Sequence, residues 1–306
     1  MKVLVTGVGG QLGYDVVNEL VRRGHEAVGT DILEREALNL FDKSSPMATV
    51  PYLKLDITDK SAVSAAICSV APDAVIHCAA WTAVDAAEDE ANIAKVRAIN
   101  VFGTENIASV CKANGCKMMY ISTDYVFNGQ GTEPWSADCK DYAPLSVYGQ
   151  TKLEGELAVS GLLEKYFIVR IAWVFGANGN NFIKTMLKVG KKFDTLRVVN
   201  DQIGTPTYTF DLARLLVDMI ETEKYGYYHA TNEGGYISWY DFACEIFKQA
   251  EYTTKVTPVT TAEYGISKAQ RPFNSRLDKS KLAENGFDPL PIWKDALARY
   301  LAVIEY

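Results

Sequence analysis

Short apolar runs alternate with longer stretches of helical spacing through the first half of the chain. "KVLVTG" (2–7), "EAVGTD" (26–31), "YLKLD" (52–56), "AVIHCAA" (74–80), "KMMYIST" (117–123) and "FIVRIAWVFG" (167–176) are bounded by turn residues and read as buried strands. Between most of them lie 10 to 25 residues with apolar positions at helical intervals, such as "LGYDVVNELVRRG" and "KSAVSAAICSV". Strand following helix in this way predicts βαβ units, a parallel sheet and helices on both of its faces. The expected fold is α/β, a doubly wound parallel sheet of Rossmann type.

Beyond residue 176 the regularity loosens. "ANGNN" and "NDQIGTPT" are rich in turn residues, helical "FDLARLLVDMIETE" leads to a strand-like "YGYYHATN", and "WYDFACEIFKQA", "KVTPV" and "IWKDALARYLAVI" predict helix, strand and closing helix. The expected division is a dinucleotide-binding domain over 1–176, with part of 196–230 returning to its sheet, and a mainly substrate-binding lobe over 177–306. Residues 34–51 read as a loop-like insertion.

Composition changes this picture little. A net charge of −7 and the lack of any Lys/Arg run argue against nucleic-acid binding. No apolar run approaches membrane-spanning length, and the opening "MKVLVTG" runs straight into glycine rather than into a signal-peptide pattern, so a cytoplasmic protein is expected. Six cysteines lack metal-ligand spacing and read as reduced, mostly buried thiols; three well-separated histidines make a His-rich metal site or a Ser/His/Asp triad a poor fit. His77 reads as a satisfied core residue.

The first strand ends in "TGVGGQLG", with Gly7, Gly10 and Gly13 at three-residue intervals before an amphipathic helix. Glycines there let the backbone turn tightly and approach a pyrophosphate, which the helix N-terminus then favours. Gly7, Gly10, Gln11, Leu12 and Gly13 are therefore cofactor candidates. Asp31, ending the second strand, would accept hydrogen bonds from an adenosine ribose and favours NAD; Arg35 would supply the charge an NADP phosphate needs, so NADPH and NADH both stay open. Asp56 and Ile57 follow the third strand, near an adenine, with Asp59 an alternative helix N-cap. Ala79 and Ala80 leave room beside the fourth strand for a cofactor, and Thr82 follows them.

Two Tyr-x-x-x-Lys pairs occur, Tyr148/Lys152 in "SVYGQTK" and Tyr264/Lys268 in "YGISK". With 17 tyrosines and 21 lysines in 306 residues, chance supplies about one. The spacing has a physical use, because residues i and i+4 on a helix are neighbours and an ammonium favours ionisation of a nearby phenol. Position separates the copies. Tyr148 follows a strand ending Ser122-Thr123-Asp124-Tyr125, at the carboxyl edge where open α/β sheets bind ligands, whereas Tyr264 lies in the C-terminal lobe with no such strand before it. The first pair is expected to be catalytic and the second superficial.

Taken together, "TGVGGQLG", "CAAWTAVDAAEDE", "AINVFGTENIA", "YISTDYVFNG", "YGQTK", "RIAWVFG", "VVNDQIGTPT" and "RPFNSRLD" resemble, in order and over nearly the whole chain, the dTDP-4-dehydrorhamnose reductase family of extended short-chain dehydrogenase/reductases. The resemblance implies NAD(P)H-dependent reduction at C4 of a dTDP-linked 4-keto-6-deoxysugar to dTDP-L-rhamnose for polysaccharide biosynthesis. It implies that Thr123, Tyr148 and Lys152 are catalytic: Thr123 binding the carbonyl oxygen, Tyr148 donating a proton, and Lys152 lowering the Tyr148 pKa while holding the nicotinamide ribose. Asn100 is implied as a support of the active-site helix or a water path, counted with the cofactor pocket. Asp124, Tyr125, Trp173, Asn178 and Arg271 are implied as substrate contacts, the Arg271 guanidinium suiting a diphosphate; a salt bridge tethering the C-terminal lobe is its alternative. A homodimer is the expected assembly. Some relatives place magnesium at a dimer interface, but no complete acidic ligand set maps here. Asp15 and Asp201 read as solvated or locally bonded, so no metal is expected. Two other readings compete: a nucleotide-sugar epimerase or dehydratase, although dehydratases of this class carry "TDE" where this chain has "TDY" (123–125), and a non-catalytic regulatory subunit of methionine adenosyltransferase.

Overall fold

The computed structural model describes residues 1–306. In chain order the first elements are β1 (Lys2–Thr6), α1 (Gln11–Arg22), β2 (Glu26–Asp31), β3 (Tyr52–Lys54), α2 (Lys60–Val70), β4 (Ala74–His77), α3 (Glu90–Arg97), α4 (Thr104–Asn114), β5 (Lys117–Thr123), α5 (Val147–Leu162) and β6 (Tyr166–Ile171). The second part holds β7 (Val174–Phe175), α6 (Phe182–Gly190), β8 (Thr195–Val199), β9 (Ile203–Gly204), β10 (Thr207–Tyr208), α7 (Thr209–Ile220), β11 (Gly226–His229), β12 (Ile237–Ser238), α8 (Trp239–Gln249), β13 (Lys255–Val259), α9 (Thr261–Tyr264), α10 (Ser280–Glu284) and α11 (Trp293–Leu301).

Seven parallel strands form the central sheet in the order β11-β6-β5-β4-β1-β2-β3. Alternation along each strand sends Val3, Val5 and Val169 to one face and Leu4, Val75 and Ile168 to the other. The first face is covered by α1 and α7 through Val16, Leu20, Leu212 and Leu216, the second by α2, α4 and α5 through Ile67, Ile107 and Val159. A third core, around Phe175, Tyr208, Phe242, Trp293 and Tyr300, belongs to the C-terminal segments. There β8 and β13 pair in parallel.

The run expected as one strand over 167–176 is broken. β6 stops at Ile171, Trp173 takes φ of +51°, and Val174–Phe175 leaves the sheet to pair with Thr207–Tyr208. A left-handed aromatic residue costs about 1–2 kcal/mol. The bend is held by the Thr207 hydroxyl, which donates to the Ala172 carbonyl at 2.6 Å. The 34–51 segment contains two short 3-10 turns, at Arg35–Ala37 and Pro46–Ala48, and drops the fully buried Met47 against Gly29. The thiols also depart from expectation: all six are free, but Cys111 and Cys116 alone are buried and Cys68 is exposed.

A buried ion pair and a buried carboxyl organise the layers. Arg170 on β6 and Glu156 on α5 are both 0 % exposed and share two hydrogen bonds of 2.8 and 2.7 Å. Asp15 on α1, expected to be solvated or locally bonded, lies buried beneath α7 and accepts a hydrogen bond from the Thr209 hydroxyl, distant in sequence. Burial pushes its carboxyl up to about 7, opposed by the Thr209 hydrogen bond and reinforced by the Asp211 charge. Asp201 accepts from the Thr261 amide and hydroxyl. No group of three His, Cys, Asp or Glu side chains is arranged to hold a metal ion.

Two stability predictions follow from these charges. Because Asp15 binds its proton up to about 7 when folded but only to 3.8 otherwise, the cost of ionising it grows as pH rises through that window and is complete above it. At about 1.4 kcal/mol per unit the full effect is on the order of 4 kcal/mol. Urea unfolding should therefore show Asp15→Asn gaining on the wild type between pH 4 and 8, with the two nearest at the acid end. For the ion pair, Glu156→Gln should lose about 3–5 kcal/mol by stranding the guanidinium, whereas Glu156→Leu combined with Arg170→Met should lose less.

Candidate active site

Beyond the carboxyl ends of the strands lies a cleft of about 750 Å³, at the point where β1 and β4 adjoin and the connections diverge. One end is the glycine turn. Gly7 has φ of +71°, and a Cβ there would meet the Ala79 backbone at 2.7 Å; a Cβ on Gly13 would meet the Gly7 carbonyl at 2.4 Å. Helix α1 has no side-chain N-cap and no acid in its first turn, which leaves its first amides for an anion. Asp31 borders the cleft and accepts from the Gly9 amide at 2.9 Å, bracing the same turn. Glycine space, uncapped amides and a strand-end carboxylate fit a dinucleotide.

The other end is built on β5 and α5. The Thr123 hydroxyl donates to Asp124 at 2.9 Å and accepts from the Tyr125 amide at 3.2 Å, turning the chain sharply after the strand. Helix α5 opens with Ser146 capping the Gly149 amide at 3.1 Å and Glu88 accepting from the Val147 amide at 2.8 Å. Its glycines permit close docking on β5: a Cβ on Gly149 would lie 2.4 Å from the Tyr125 carbonyl, and one on Gly155 2.4 Å from the Tyr120 hydroxyl. Tyr148 is thereby held beside Thr123, its ring edge-on to Tyr125 at 5.5 Å.

The electrostatics are those of a dry pocket. Burial raises the Tyr148 phenol above its ordinary range, the Thr123 hydroxyl lowers it and the Asp124 charge raises it. Burial pulls Lys152 down to about 7 against the opposing charges of Glu156 and Cys78. Its ammonium donates to the Ile121 carbonyl at 2.7 Å and sits 4.1 Å over the Tyr120 ring. The Tyr148 phenol is thus raised rather than lowered: only the Thr123 hydroxyl opposes burial, and the Lys152 ammonium is turned to a backbone acceptor. Burial pushes Asp124 up to about 6 against the lowering effect of the Ser275 and Thr123 hydroxyls, and its Oδ2, like the Ser122 hydroxyl, has no close hydrogen-bond partner. His77 is the satisfied core residue it was expected to be: it faces the Thr6 and Thr104 hydroxyls, and burial lowers it to about 3.

Most of the predicted residues converge here: the cofactor candidates Gly7, Gly10, Gln11, Leu12, Gly13, Asp31, Asp56, Ile57, Ala79, Ala80 and Thr82 and the catalytic and substrate candidates Thr123, Asp124, Tyr125, Tyr148, Lys152, Trp173 and Arg271 all line the cleft. Three do not. Arg35 donates to the Ala48 carbonyl at 2.6 Å and to that of Val50, holding its own loop. Asn178, 1 % exposed, donates to the Gly9 carbonyl at 2.8 Å and accepts from the Phe41 amide at 2.7 Å, so it clamps the glycine turn rather than reaching substrate. Asn100 sits in a π-helical turn (Ala98–Gly103), accepts from the Trp81 amide at 2.8 Å and donates to Thr151 at 3.1 Å, bracing α5 from behind.

The second tyrosine pair is superficial, as expected. Tyr264 ends α9, Gly265 breaks the helix at φ of +64°, and Lys268 pairs with Asp89 at the surface. Among the lining residues that sequence reasoning missed are Phe182 and Trp239, whose rings join Trp173 in one wall, the two indoles stacked 3.8 Å apart. Ser238 caps α8 in a Ser-x-x-Asp box that is legible locally, but nothing local says that its first residue faces Trp173.

A parallel doubly wound sheet, a glycine turn at its switch point and a strand-edge threonine beside a helical tyrosine and lysine define an extended short-chain dehydrogenase/reductase. The chain belongs to the RmlD substrate binding domain family, whose model matches residues 1–305. It is 37% identical over 300 residues to the spore coat polysaccharide biosynthesis protein SpsK of Bacillus subtilis, covering 98% of this chain and 96% of that one. The crystal structure of a dTDP-4-dehydrorhamnose reductase from Clostridium acetobutylicum superimposes with a TM-score of 0.88 at 40% identity, covering 99% of both chains. That of the Bacillus anthracis enzyme in complex with NADP gives 0.87 at 38%, again over 99% of each.

The placements of Arg35 and Asn178 are testable through the cofactor alone. Arg35→Ala should leave the ratio of NADPH to NADH affinity unchanged in fluorescence titrations, whereas Asn178→Ala should weaken both cofactors by loosening the glycine turn.

Proposed function

We propose that this protein reduces the C4 keto group of dTDP-4-dehydro-L-rhamnose with NADPH, giving dTDP-L-rhamnose, and that NADH serves as an alternative reductant. The carrying observation is the Thr123–Tyr148 edge of the cleft, set opposite the glycine turn in a chain of this family. Tyr125 stands where elimination would need a glutamate, which favours a plain reductase over a dehydratase.

In this reading the amides of the glycine turn hold the pyrophosphate, Asp31 the adenosine ribose, Asp56 and Ile57 the adenine, and Lys152 the nicotinamide ribose. NADPH, when bound, supplies the hydride. Tyr148 keeps its proton at neutral pH because burial raises its pKa, and so acts as the acid that protonates the developing alkoxide. Thr123 donates to Asp124, so its hydroxyl rotates off that carboxylate to reach the sugar oxygen. Trp173 with Trp239 gives the sugar an apolar wall. The segment 177–306 is the substrate lobe, apart from the elements that return to cover and extend the sheet.

No helix is long and apolar enough to cross a membrane. The six free thiols suit a cytoplasmic enzyme, and the exposed Phe102 and Leu157, on helical segments packed together, offer apolar surface for a homodimer.

The test is loss of NADPH, and separately NADH, absorbance with dTDP-4-dehydro-L-rhamnose; oxidation of neither would sink the reading. Tyr148→Phe should lower kcat by roughly 10²–10⁴-fold while retaining NADPH affinity, and Tyr264→Phe should change neither.

A further inference from the structure

Arg271 lines the cleft from an irregular segment, residues 265–272, that is tied to Asp85. The Asp85 carboxylate takes Nη1 at 3.0 Å and Nη2 at 2.7 Å, and also accepts from the Ala269 amide at 3.0 Å. Next to it Lys268 pairs with Asp89 at 2.6 Å. Asp85 is itself fixed: it precedes a short 3-10 turn, Ala86–Glu88, whose Glu88 caps the first residue of α5. Asp85 thus belongs to the same rigid unit as Tyr148, whereas Arg271 belongs to a loop.

The orientation of the guanidinium matters. It has five N–H groups in a planar fork. Asp85 takes one from each terminal nitrogen, and the Ala269 carbonyl receives the other from Nη1 at 3.4 Å. Asp85 and Ala269 leave two, Nε–H and the second on Nη2, parallel along one edge of the plane, with the Tyr125 hydroxyl a hydrogen-bonding neighbour of the guanidinium. That edge has the geometry for bidentate binding of a phosphoryl group. Arg271 and Tyr125 both line the cleft.

We propose that Asp85 is a positioning residue for the diphosphate of the sugar nucleotide: by occupying the Nη1/Nη2 end of Arg271 it turns the Nε/Nη2 edge into the cleft and holds it there. The proposal rests on the nucleotide-sugar reading of the cleft and adds to it the residue that fixes where the diphosphate lies relative to Tyr148. Without Asp85 the arginine keeps its charge but loses its direction and its link to the catalytic helix.

The probe is dTDP, which carries the diphosphate and no keto group. Calorimetry with the NADPH-loaded protein should show Asp85→Asn binding dTDP about tenfold or more weakly than the wild type. The KM for the keto-sugar should rise in parallel, with kcat at saturation, NADPH affinity and Tm unchanged. Arg271→Lys should show the same loss, and the double variant should be no worse, because lysine has no second edge to orient. Asp85→Glu, which keeps the charge, should recover part of the affinity and tests the same point should the asparagine variant fail to fold. Unchanged or tighter dTDP binding in Asp85→Asn overturns the proposal, as does a fall in kcat with KM unmoved. If the wild type turns over the keto-sugar while Asp85→Asn is indifferent, the positioning role fails and the reductase stands; if dTDP binding depends on Asp85 but no keto-sugar oxidises NADPH, the reverse holds.

Discussion

The fully buried pair of Arg170 and Glu156 sets the geometry on which the rest of the cleft depends. Neither charge has water to solvate it, so the pair is stable only with complete hydrogen bonding. Arg170 supplies this: it reaches Glu156 with two nitrogens, the Ala137 carbonyl at 3.2 Å and the Tyr142 hydroxyl at 3.0 Å. Because Glu156 is one turn beyond Lys152 and Arg170 pairs in register with Ser122, the interaction ties α5 to β6, the strand beside β5. A slip of α5 along the sheet would break a bidentate bond in an apolar interior.

Close packing then fixes the remaining freedom of α5. Gly149 and Gly155 bring its backbone against Tyr125 and Tyr120, and Ser146 with Glu88 holds its first turn. The dry environment this creates works in opposite directions on two neighbours. It keeps the Tyr148 phenol protonated and makes the Lys152 charge costly, so that a lysine one helical turn from a carboxylate is poised near neutrality. The orphaned Asp124 Oδ2 and Ser122 hydroxyl border the cleft, where buried polar atoms without partners mark positions for ligand atoms.

The residues that departed from expectation share a cause. Arg35 and Asn178 are polar groups near the cleft that bind backbone instead of facing it, because loops beside the glycine turn leave carbonyls and amides needing partners, whereas Asn100 supports α5 as expected. Each lies in the right neighbourhood, but its direction depends on backbone atoms far away in sequence. Asn178, for example, serves Gly9 and Phe41 at once.

The sequence by itself determined the parallel sheet, the glycine turn and the choice of Tyr148 over Tyr264, because strand and helix periods, glycine spacing and strand-edge position are local properties. It also offered Asp59 as the N-cap of α2, a contact made to amides only two and three residues away. Only the tertiary structure decided that the strand at Trp173 breaks, that Trp239 stacks on it, that Asp15 is buried beneath Thr209 and that Asp85 takes one edge of Arg271. Those partners are 66, 194 and 186 residues apart respectively, and no local pattern encodes which of many polar or aromatic groups will meet across the folded chain. Direction of a side chain is set by packing, and packing is a property of the whole chain.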